Sequence, residues 1–501
     1  MDNKAIGYEA LIRQLNLSVI PHYRSSFIAM KGRGSIQIIQ GKETHIFPKT
    51  YDIEDTHNPF NQLEFALKYD GINLEILNAF FARIEEKEIE SYIQQQPTSK
   101  YSRMIWFLYE YLTENTLDIE DCNKVKYIDL LDPKQYFTYS GIKSPRHGIN
   151  NNLIGNQQFC PIVRRTSKLN SYLDKKLDAK AKEIADSYSP QIISRAIHYL
   201  YAKETLSSYE IEREKPNKQR IARFIEVLKK ASSMEHLTKE ILIELQNIIV
   251  DPRFKDLDYR ETQNYVGENI NQYFQKIHYI SPKPEDVNDL MAGLIKVLDN
   301  NENASINPVI IAAVISFGFV FIHPFEDGNG RIHRFLIHYI LTRLSFTPEG
   351  IIFPVSAVML QKMKEYDQIL ESYSKPLLEN IKNFDLTDEG VLTVKQATKA
   401  YYQYIDFTHF AEYLFECIEE TLHNHFEREI EFLINYDKSK IQIQAIVDMP
   451  DKLIDLLINF VMQNNGELGN SKRKRFFGML SEDEIKELLT IIRKNLINKK
   501  Q

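Results

Sequence analysis

An almost wholly apolar run extends from Val309 to Ile322, directly after the dipeptide Asn307-Pro308. Asparagine followed by proline is typical of a helix start, because proline is tolerated at the first helical position. The run of 14 residues is too short to cross a bilayer, which takes about 20. The pattern therefore predicts a buried core helix that begins near Pro308.

A second helix is predicted shortly afterwards by apolar residues that recur at helical spacing. They are Ile332, Phe335, Leu336, Tyr339, Ile340 and Leu344. The polar residues Arg331, Arg334 and His338 lie together on the helical wheel, away from this apolar face. The segment that begins at His323 is then a loop between two packed helices.

The N-terminal part, residues 1–185, is predicted to be an α+β module. Alternating apolar residues between Ser35 and Phe47, with Gly41-Lys42 at the turn, indicate a β-hairpin. Helical patterns follow through Leu63–Leu67, Leu74–Ile84 and Tyr101–Leu112. We attach no role to this module from its sequence.

The C-terminal part, residues 386–501, is predicted to be helical. An apolar segment at Leu453–Val461, the basic run Lys472-Arg-Lys-Arg475 and a helix from Ser481 suggest a small winged-helix-like module. Four basic residues are also typical of a solvated helix face, so nucleic-acid binding is an unfavoured alternative.

Composition and charge narrow the class of protein. The chain has 501 residues, 43% of them hydrophobic and 26% charged, as in globular proteins with two or three domains. The net charge of −7 argues against nucleic acid as the main partner. Three distant cysteines form neither a metal pattern nor a disulfide framework. With no signal peptide recognised, we expect a cytoplasmic protein that does not bind a membrane.

The loop before the second helix carries the candidate chemistry. Gly328 and Gly330 flank Asn329, and such glycines allow a tight turn with positive φ whose N–H groups converge on an anion. The turn lies at a helix N-terminus, which favours a phosphate. Arg331 and Arg334 would add paired contacts to phosphate oxygens.

Two further residues complete a centre for phosphate chemistry. Asp327 precedes the turn, and one carboxylate together with substrate phosphates is a common way to hold Mg²⁺. His323 lies four residues before it, where an imidazole is well placed as a general base. Each element alone is common in structural loops, but their joint occurrence in this order indicates a catalytic site.

The segment His323-Pro-Phe-Glu-Asp-Gly-Asn-Gly-Arg-Ile-His-Arg334 resembles the Fic signature at every defined position of that motif. The resemblance implies a helical Fic core in residues 186–385 and protein adenylyltransferase activity, the transfer of AMP from ATP to a target Ser, Thr or Tyr. It makes His323 the base and Asp327 the Mg²⁺ ligand. It implies phosphate or ATP binding by Gly328, Asn329, Gly330, Arg331 and Arg334, and anchoring of the loop by Phe325.

A second segment, Leu206-Ser-Ser-Tyr-Glu-Ile-Glu-Arg213, resembles the inhibitory motif of the same family. Ser208 and Glu212 occupy its serine and glutamate positions, four residues apart and therefore on one helix face. By the resemblance, Glu212 pairs with Arg334 and blocks the γ-phosphate site. Arg213 stands where the family has glycine or asparagine, which leaves the strength of inhibition open. The resemblance implies an inhibitory helix near residues 204–214, and the alternative is an ordinary charged helix.

A third segment, from Tyr259 through Gly267 to Pro284, resembles the Fic flap. The resemblance implies a β-hairpin near residues 262–282 that docks a target protein by strand addition, a mode that gives register without sequence specificity. It also implies that Tyr366, on a later helix, lies beside the nucleotide base. A half-buried tyrosine without that role is the alternative.

Other functions stay open at this point. Some relatives transfer a phosphate or another nucleotide, and others remove AMP, all with the same motif residues. A regulatory or binding protein with an inactive site is the alternative outside the enzyme class, although neither His323 nor Asp327 has been lost. The target protein is not identified by the sequence, and a homodimer is an open alternative.

Overall fold

The computed structural model describes residues 3–30, 33–39, 42–122, 125–231, 234–271, 274–301, 306–387 and 389–497. Helices dominate this part of the chain, with four small sheets of two to four strands each. The prediction of a mainly α protein is therefore confirmed. None of the described helices is both long and apolar enough to cross a membrane.

The N-terminal part packs around its own apolar core, in which Leu77, Trp106 and Leu108 are fully buried. Its helices are α1 (Tyr8–Gln14), α2 (Pro59–Phe65), α3 (Leu74–Phe81), α4 (Glu86–Gln95) and α5 (Lys100–Thr113). Its strands are β1 (Lys4–Ala5), β2 (Arg24–Ile28), β3 (Ser35–Ile39), β4 (Lys42–Phe47), β5 (Ile128–Asp129), β6 (Ile142–Ser144) and β7 (Ile149–Asn151).

The first sheet has the order β1-β2-β4-β3, and the second has the order β5-β7-β6. Strands β3 and β4 pair antiparallel, with Ile36 opposite His45 and Ile38 opposite Glu43. This confirms the predicted hairpin. Gln40 and Gly41, which include the predicted turn glycine, lie outside the described residues.

The central part, taken as residues 167–380 and so beginning before the predicted boundary near residue 185, is helical apart from one hairpin. Its helices are α6 (Ser167–Asp174), α7 (Leu177–Asp186), α8 (Pro190–Ile211), α9 (Lys218–Lys230), α10 (Lys239–Ile249), α11 (Pro284–Asn301), α12 (Pro308–Ile322), α13 (Asn329–Arg343), α14 (Val355–Gln361) and α15 (Met363–Asn380). Strands β8 (Tyr265–Asn271) and β9 (Phe274–Ile280) form an antiparallel pair. The two strands lie where the flap was predicted.

Helix α12 is the buried core helix that its apolar run predicted. The Asn307 side chain accepts a hydrogen bond from the Val309 N–H, and Pro308 occupies the first turn. Its side chains from Val309 to Phe319 are all buried. Because α12 packs against α11 and α13, the loop that follows it joins two helices that are packed together.

The segment between β7 and α6 fastens the N-terminal part to the rest of the chain. Phe159 is fully buried and lies against Gly293 of α11 and Gly318 of α12, where an added Cβ would come within 3 Å of it. Arg164 Nε lies 2.7 Å from Asp406 Oδ2. One apolar core extends from Phe137 to Leu433, and the domain boundaries near residues 185 and 385 stay predictions.

The C-terminal part continues this core and adds a smaller one. It contains β10 (Phe384–Leu386), β11 (Leu392–Val394), α16 (Lys399–Gln403), α17 (Thr408–Thr421), α18 (Arg428–Ile446), α19 (Asp451–Gln463), α20 (Asn470–Phe476) and α21 (Glu482–Ile492). The smaller core joins α18, α19 and α21. Helix α20 carries the basic run, and Arg473 pairs with Glu482. The winged-helix interpretation stays a prediction.

Candidate active site

The loop between α12 and α13 has a defined conformation at both ends. His323 ends α12 with a left-handed backbone, φ 54°, and Gly328 precedes α13 with φ 93°. In between, Phe325 is fully buried. The Asn329 side chain donates to the Phe325 carbonyl (2.7 Å) and accepts from the Phe325 N–H (3.1 Å). The loop is therefore pinned at its centre by its own residues.

The two glycines of the turn do different things. Positive φ occurs at Gly328, as the turn requires. Gly330 instead has helical backbone in the first turn of α13. A Cβ built on Gly330 would stand 2.2 Å from Glu212 Oε1. Gly330 therefore leaves room for an anionic group over the helix N-terminus, rather than turning the chain.

His323 is held in its neutral form with one ring nitrogen available. Nδ1 lies 3.1 Å from the Val320 carbonyl oxygen, and since a carbonyl only accepts, this nitrogen carries the proton. Burial lowers the pKa of His323 to about 4, and the positive charge of Arg260 acts in the same direction. At neutral pH, Nε2 therefore has a free lone pair and can accept a proton.

Asp327 offers one carboxylate oxygen for a metal ion. Its Oδ1 accepts hydrogen bonds from Gly328 N (2.6 Å) and Arg331 Nη2 (2.8 Å), whereas Oδ2 receives none from the described residues. The side chain is 47% exposed. Within those residues, no group of three or more His, Cys, Asp or Glu side chains could hold a metal. Mg²⁺ fits here if substrate phosphates supply further ligands.

Both arginines of the motif are almost completely buried, and both are in contact with the end of α8. Arg334 donates from Nε to Ser208 Oγ and from Nη2 to Glu212 Oε1, each at 2.8 Å. Arg331 Nη1 lies 2.9 Å from Glu214 Oε1. The carboxylates of Glu212 and Glu214 therefore occupy the guanidinium groups that the sequence predicts to bind phosphate.

The end of α8 has a C-terminal cap that positions Glu212. Arg213 N donates to the Glu210 carbonyl (2.9 Å), and Glu214 N donates to the Tyr209 carbonyl (3.0 Å). This pair of bonds is the Schellman arrangement, which requires a left-handed residue and favours glycine there. Arg213 takes that conformation with φ 57°. The departure from glycine or asparagine therefore has a physical meaning: the helix end forms, but with strain.

A second contact joins α8 and α13 one turn away. His338 Nε2 lies 2.9 Å from Glu204 Oε1, and both side chains are fully buried. Glu204 Oε2 also accepts a hydrogen bond from Ser356 N (2.9 Å). Glu204, Ser208 and Glu212 are spaced four apart on α8, opposite Arg334 and His338 on the antiparallel α13. The contacts between the polar residues of α8 and those of α13 therefore fix the register of the two helices.

Tyr366 lies next to Arg334. The tyrosine is 5% exposed, and its ring stacks against Tyr413 with centroids 6.2 Å apart. Burial raises the pKa of Tyr366 to about 12, with the nearby charge of Arg334 acting in the opposite direction. The predicted contact with a nucleotide base stays a prediction.

Three residues at the site were missed by the sequence reasoning: Glu204, Glu214 and Arg260. Arg260 donates from Nε to the carbonyl of His323 (2.8 Å). Glu204 and Glu214 lie one turn before and two residues after the predicted inhibitory pair. The spacing of these two acidic residues relative to Ser208 and Glu212 could have indicated that they also contact the site. Nothing in the sequence distinguishes Arg260 from a surface arginine.

Residues 236–341 match the model of the Fic/DOC family, which confirms the predicted resemblance over this part of the chain. A protein from Drosophila grimshawi named "Protein adenylyltransferase Fic" is 33% identical over 115 residues, 22% of each chain. A protein of the same name from Nematostella vectensis is 35% identical over 90 residues, 18% of this chain and 19% of its own length. The matched segment thus spans about a fifth of these relatives.

Two solved structures have weaker similarity. A Fic family protein from Desulfovibrio desulfuricans G20 shares 17% identity and covers 67% of this chain and 89% of its own, with a TM-score of 0.37. A Fic domain-containing signalling protein from Bacteroides thetaiotaomicron shares 19% identity and covers 50% of this chain and 96% of its own, also with a TM-score of 0.37.

Proposed function

We propose that this chain is a protein adenylyltransferase that transfers AMP from ATP to a Ser, Thr or Tyr hydroxyl of a target protein and of itself. The relatives that share its Fic region carry this activity in their names. The observation that carries the proposal is the combination of a neutral His323 with a free Nε2 and a helix N-terminus flanked by two buried arginines. Few structural roles need that combination.

Each residue then has a chemical task. The target hydroxyl gives its proton to His323 Nε2 and attacks the α-phosphorus in line, and pyrophosphate leaves. The N–H groups at the start of α13 bind phosphate oxygens, and Arg331 and Arg334 bind the pyrophosphate portion. Mg²⁺ on Asp327 would neutralise phosphate charge when it is bound. Catalysis here rests on positioning and electrostatics.

We further propose that the described conformation is an inhibited one. Glu212 accepts a hydrogen bond from Arg334 and lies over Gly330, where a terminal phosphate would bind. ATP and Glu212 would then compete for one guanidinium. Because the inhibitory helix and the site belong to one chain, the regulation acts within the molecule.

The hairpin β8–β9 suits the docking of a target through strand pairing, since backbone groups along a two-stranded sheet can accept a further strand. We also propose a cytoplasmic location. The three cysteines are unpaired, as is typical of proteins in a reducing compartment.

The test uses ATP labelled at either the α- or the γ-phosphate. Glu212→Gly should raise incorporation of α-label into protein, by roughly 10-fold or more if a charged hydrogen bond worth about 1.5–3 kcal/mol is lost. His323→Ala in the same background should abolish it. Glu210→Ala is the control, because Glu210 is exposed on the same helix turn and alanine removes its carboxylate without weakening the helix; it should leave labelling unchanged.

Other outcomes identify the alternatives. Transfer of γ-label with no α-label would indicate a phosphotransferase. Labelling that survives His323→Ala would contradict the assignment of the base. A complete lack of labelling in Glu212→Gly, with ATP still bound, would favour a regulatory protein over an enzyme.

A further inference from the structure

Arg260 lies in the segment between α10 and β8 and is 5% exposed. Its guanidinium donates three hydrogen bonds to three different backbone carbonyls. Nε donates to His323 (2.8 Å), Nη1 to Thr262 (2.7 Å) and Nη2 to Pro282 (2.6 Å). Its own backbone N–H donates to the Pro324 carbonyl at 2.8 Å. Arg260 therefore donates hydrogen bonds to four backbone carbonyls of the surrounding chain.

These four carbonyls belong to two elements, the hairpin β8–β9 and the loop that carries His323. Thr262 precedes β8 and Pro282 follows β9, so they are the two ends of the hairpin. His323 and Pro324 begin the loop that carries the base. A planar guanidinium with donors in a rigid fork can hold these carbonyls at fixed relative angles, which a lysine ammonium cannot do.

The contact to His323 bears on the geometry of its ring. His323 has a left-handed backbone with φ 54°, a conformation that is strained for a non-glycine residue. Its carbonyl is held by Arg260, and its ring Nδ1 is held by Val320. Loss of the carbonyl contact would let the peptide relax and would turn the imidazole away from its present direction.

The charge of Arg260 supports a role beyond packing. No carboxylate of the described residues forms an ion pair with it, and its acceptors are neutral carbonyls. Burial lowers the pKa of Arg260 to about 10, so it remains a cation at neutral pH. A buried cation without a counter-ion is costly, and it lies where it disfavours protonation of His323.

We propose that Arg260 is a positioning residue that fixes the hairpin relative to His323, so that a target segment paired with the hairpin presents its hydroxyl to the base. The inference rests on the proposed adenylyl transfer. The side-chain hydrogen bonds of Arg260 go to main-chain carbonyls, so it acts through His323 and the hairpin. Its role is to set the distance and angle between two elements that each hold one reactant.

The matched control is Arg103. Arg103 is equally buried and also donates to two carbonyls, those of Lys126 and Gly148, but in the N-terminal part. Arg260→Lys and Arg103→Lys therefore make the same chemical change in similar surroundings. Any general cost of replacing a buried arginine should appear in both variants.

The experiment compares these variants in the Glu212→Gly background. Arg260→Lys should lower kcat for transfer to protein by about 10- to 100-fold, the loss expected for a misplacement near 1 Å, while the Kd for ATP changes less than about 2-fold. Arg260→Gln should also move the acid limb of the pH–rate profile to higher pH, because His323 loses a neighbouring cation. Arg103→Lys should do neither.

Equal kcat in Arg260→Lys and the parent, or an equal loss in Arg103→Lys, would overturn the proposal. If Glu212→Gly itself transfers nothing, the proposed function fails, and the positioning role is then judged by amide hydrogen exchange. In that measurement the amides of β8 and β9 should exchange faster in Arg260→Lys but not in Arg103→Lys. Unchanged exchange would refute the link between Arg260 and the hairpin.

Discussion

Replacing Arg213 with glycine should strengthen the inhibition by Glu212. Arg213 occupies the left-handed position of the cap that ends α8, with φ 57°. Glycine adopts this conformation without a steric penalty. The substitution therefore favours the state in which the helix end is formed and Glu212 contacts Arg334, relative to any state in which this turn has opened.

The size of the effect follows from the backbone. A non-glycine residue in the left-handed region costs roughly 1–2 kcal/mol, and glycine removes this cost from the inhibited state. Glycine is also more flexible in the opened state, which favours that state by about 0.4–1 kcal/mol. The net change is then about 1 kcal/mol in favour of the inhibited state, or about 5-fold in its equilibrium. Asparagine, which tolerates this conformation, should give an intermediate effect.

The assay measures the Kd for ATP and the rate of α-label incorporation at low ATP concentration. Arg213→Gly should raise the Kd and lower the rate, each by about 5-fold. Arg213→Ala separates the side chain from the backbone, since alanine removes the charge but keeps the strain. It should resemble the wild type.

A matched control comes from Glu114, which ends α5 with φ 59° in the N-terminal part. Glu114→Gly should raise the melting temperature, because it removes the same kind of left-handed strain, but it should not change labelling. The reasoning is refuted if Arg213→Gly labels as fast as the wild type, or if Glu114→Gly lowers labelling equally. It is also refuted if alanine at 213 acts like glycine, because the charge would then be the cause.

Other predictions address pH and stability. In Glu212→Gly, labelling should stay level from about pH 8 to about pH 5.5 and fall only toward about pH 4, because His323 has its pKa lowered to about 4; a midpoint near 6.5 would contradict this. Burial raises the pKa of Glu75 to about 8, so the free energy of unfolding should decline as pH rises from about 4.5 to about 8. Urea unfolding of Glu75→Gln should lack that decline. Glu204→Gln should cost roughly 3–5 kcal/mol in the same assay and raise basal labelling, since the contact of Glu204 with His338 helps hold α8; unchanged stability and labelling would exclude that role.

Local features were the most predictable part of the protein. The apolar run after Asn307 and Pro308 has the composition of a buried helix, and α12 is one. Alternation in residues 35–47 predicted the pair β3–β4. Such features depend on periodicity and on residues that terminate elements, so a single segment carries all the information they need.

The grouping of the motif residues was also predictable from the sequence. His323, Asp327 and Arg334 stand in one short segment, so their proximity did not depend on how distant parts of the chain meet. The role expected of Gly330 was less accurate. Its lack of a side chain matters because Glu212 approaches it from 118 residues away in the chain, which the local pattern could not indicate.

The sequence by itself determined α12, α13, the loop between them and the set of residues for which phosphate chemistry is proposed. Only the tertiary structure decided which distant partners the buried charges contact: Glu214 contacts Arg331, Glu204 contacts His338, and the carbonyls of His323 and Pro282 contact Arg260. The physical reason is that apolar periodicity reports that a face is buried, but not against what. A buried charge is stable only beside a partner, and in these cases the partner comes from a distant part of the chain. The residues next to the charge in sequence do not identify that partner.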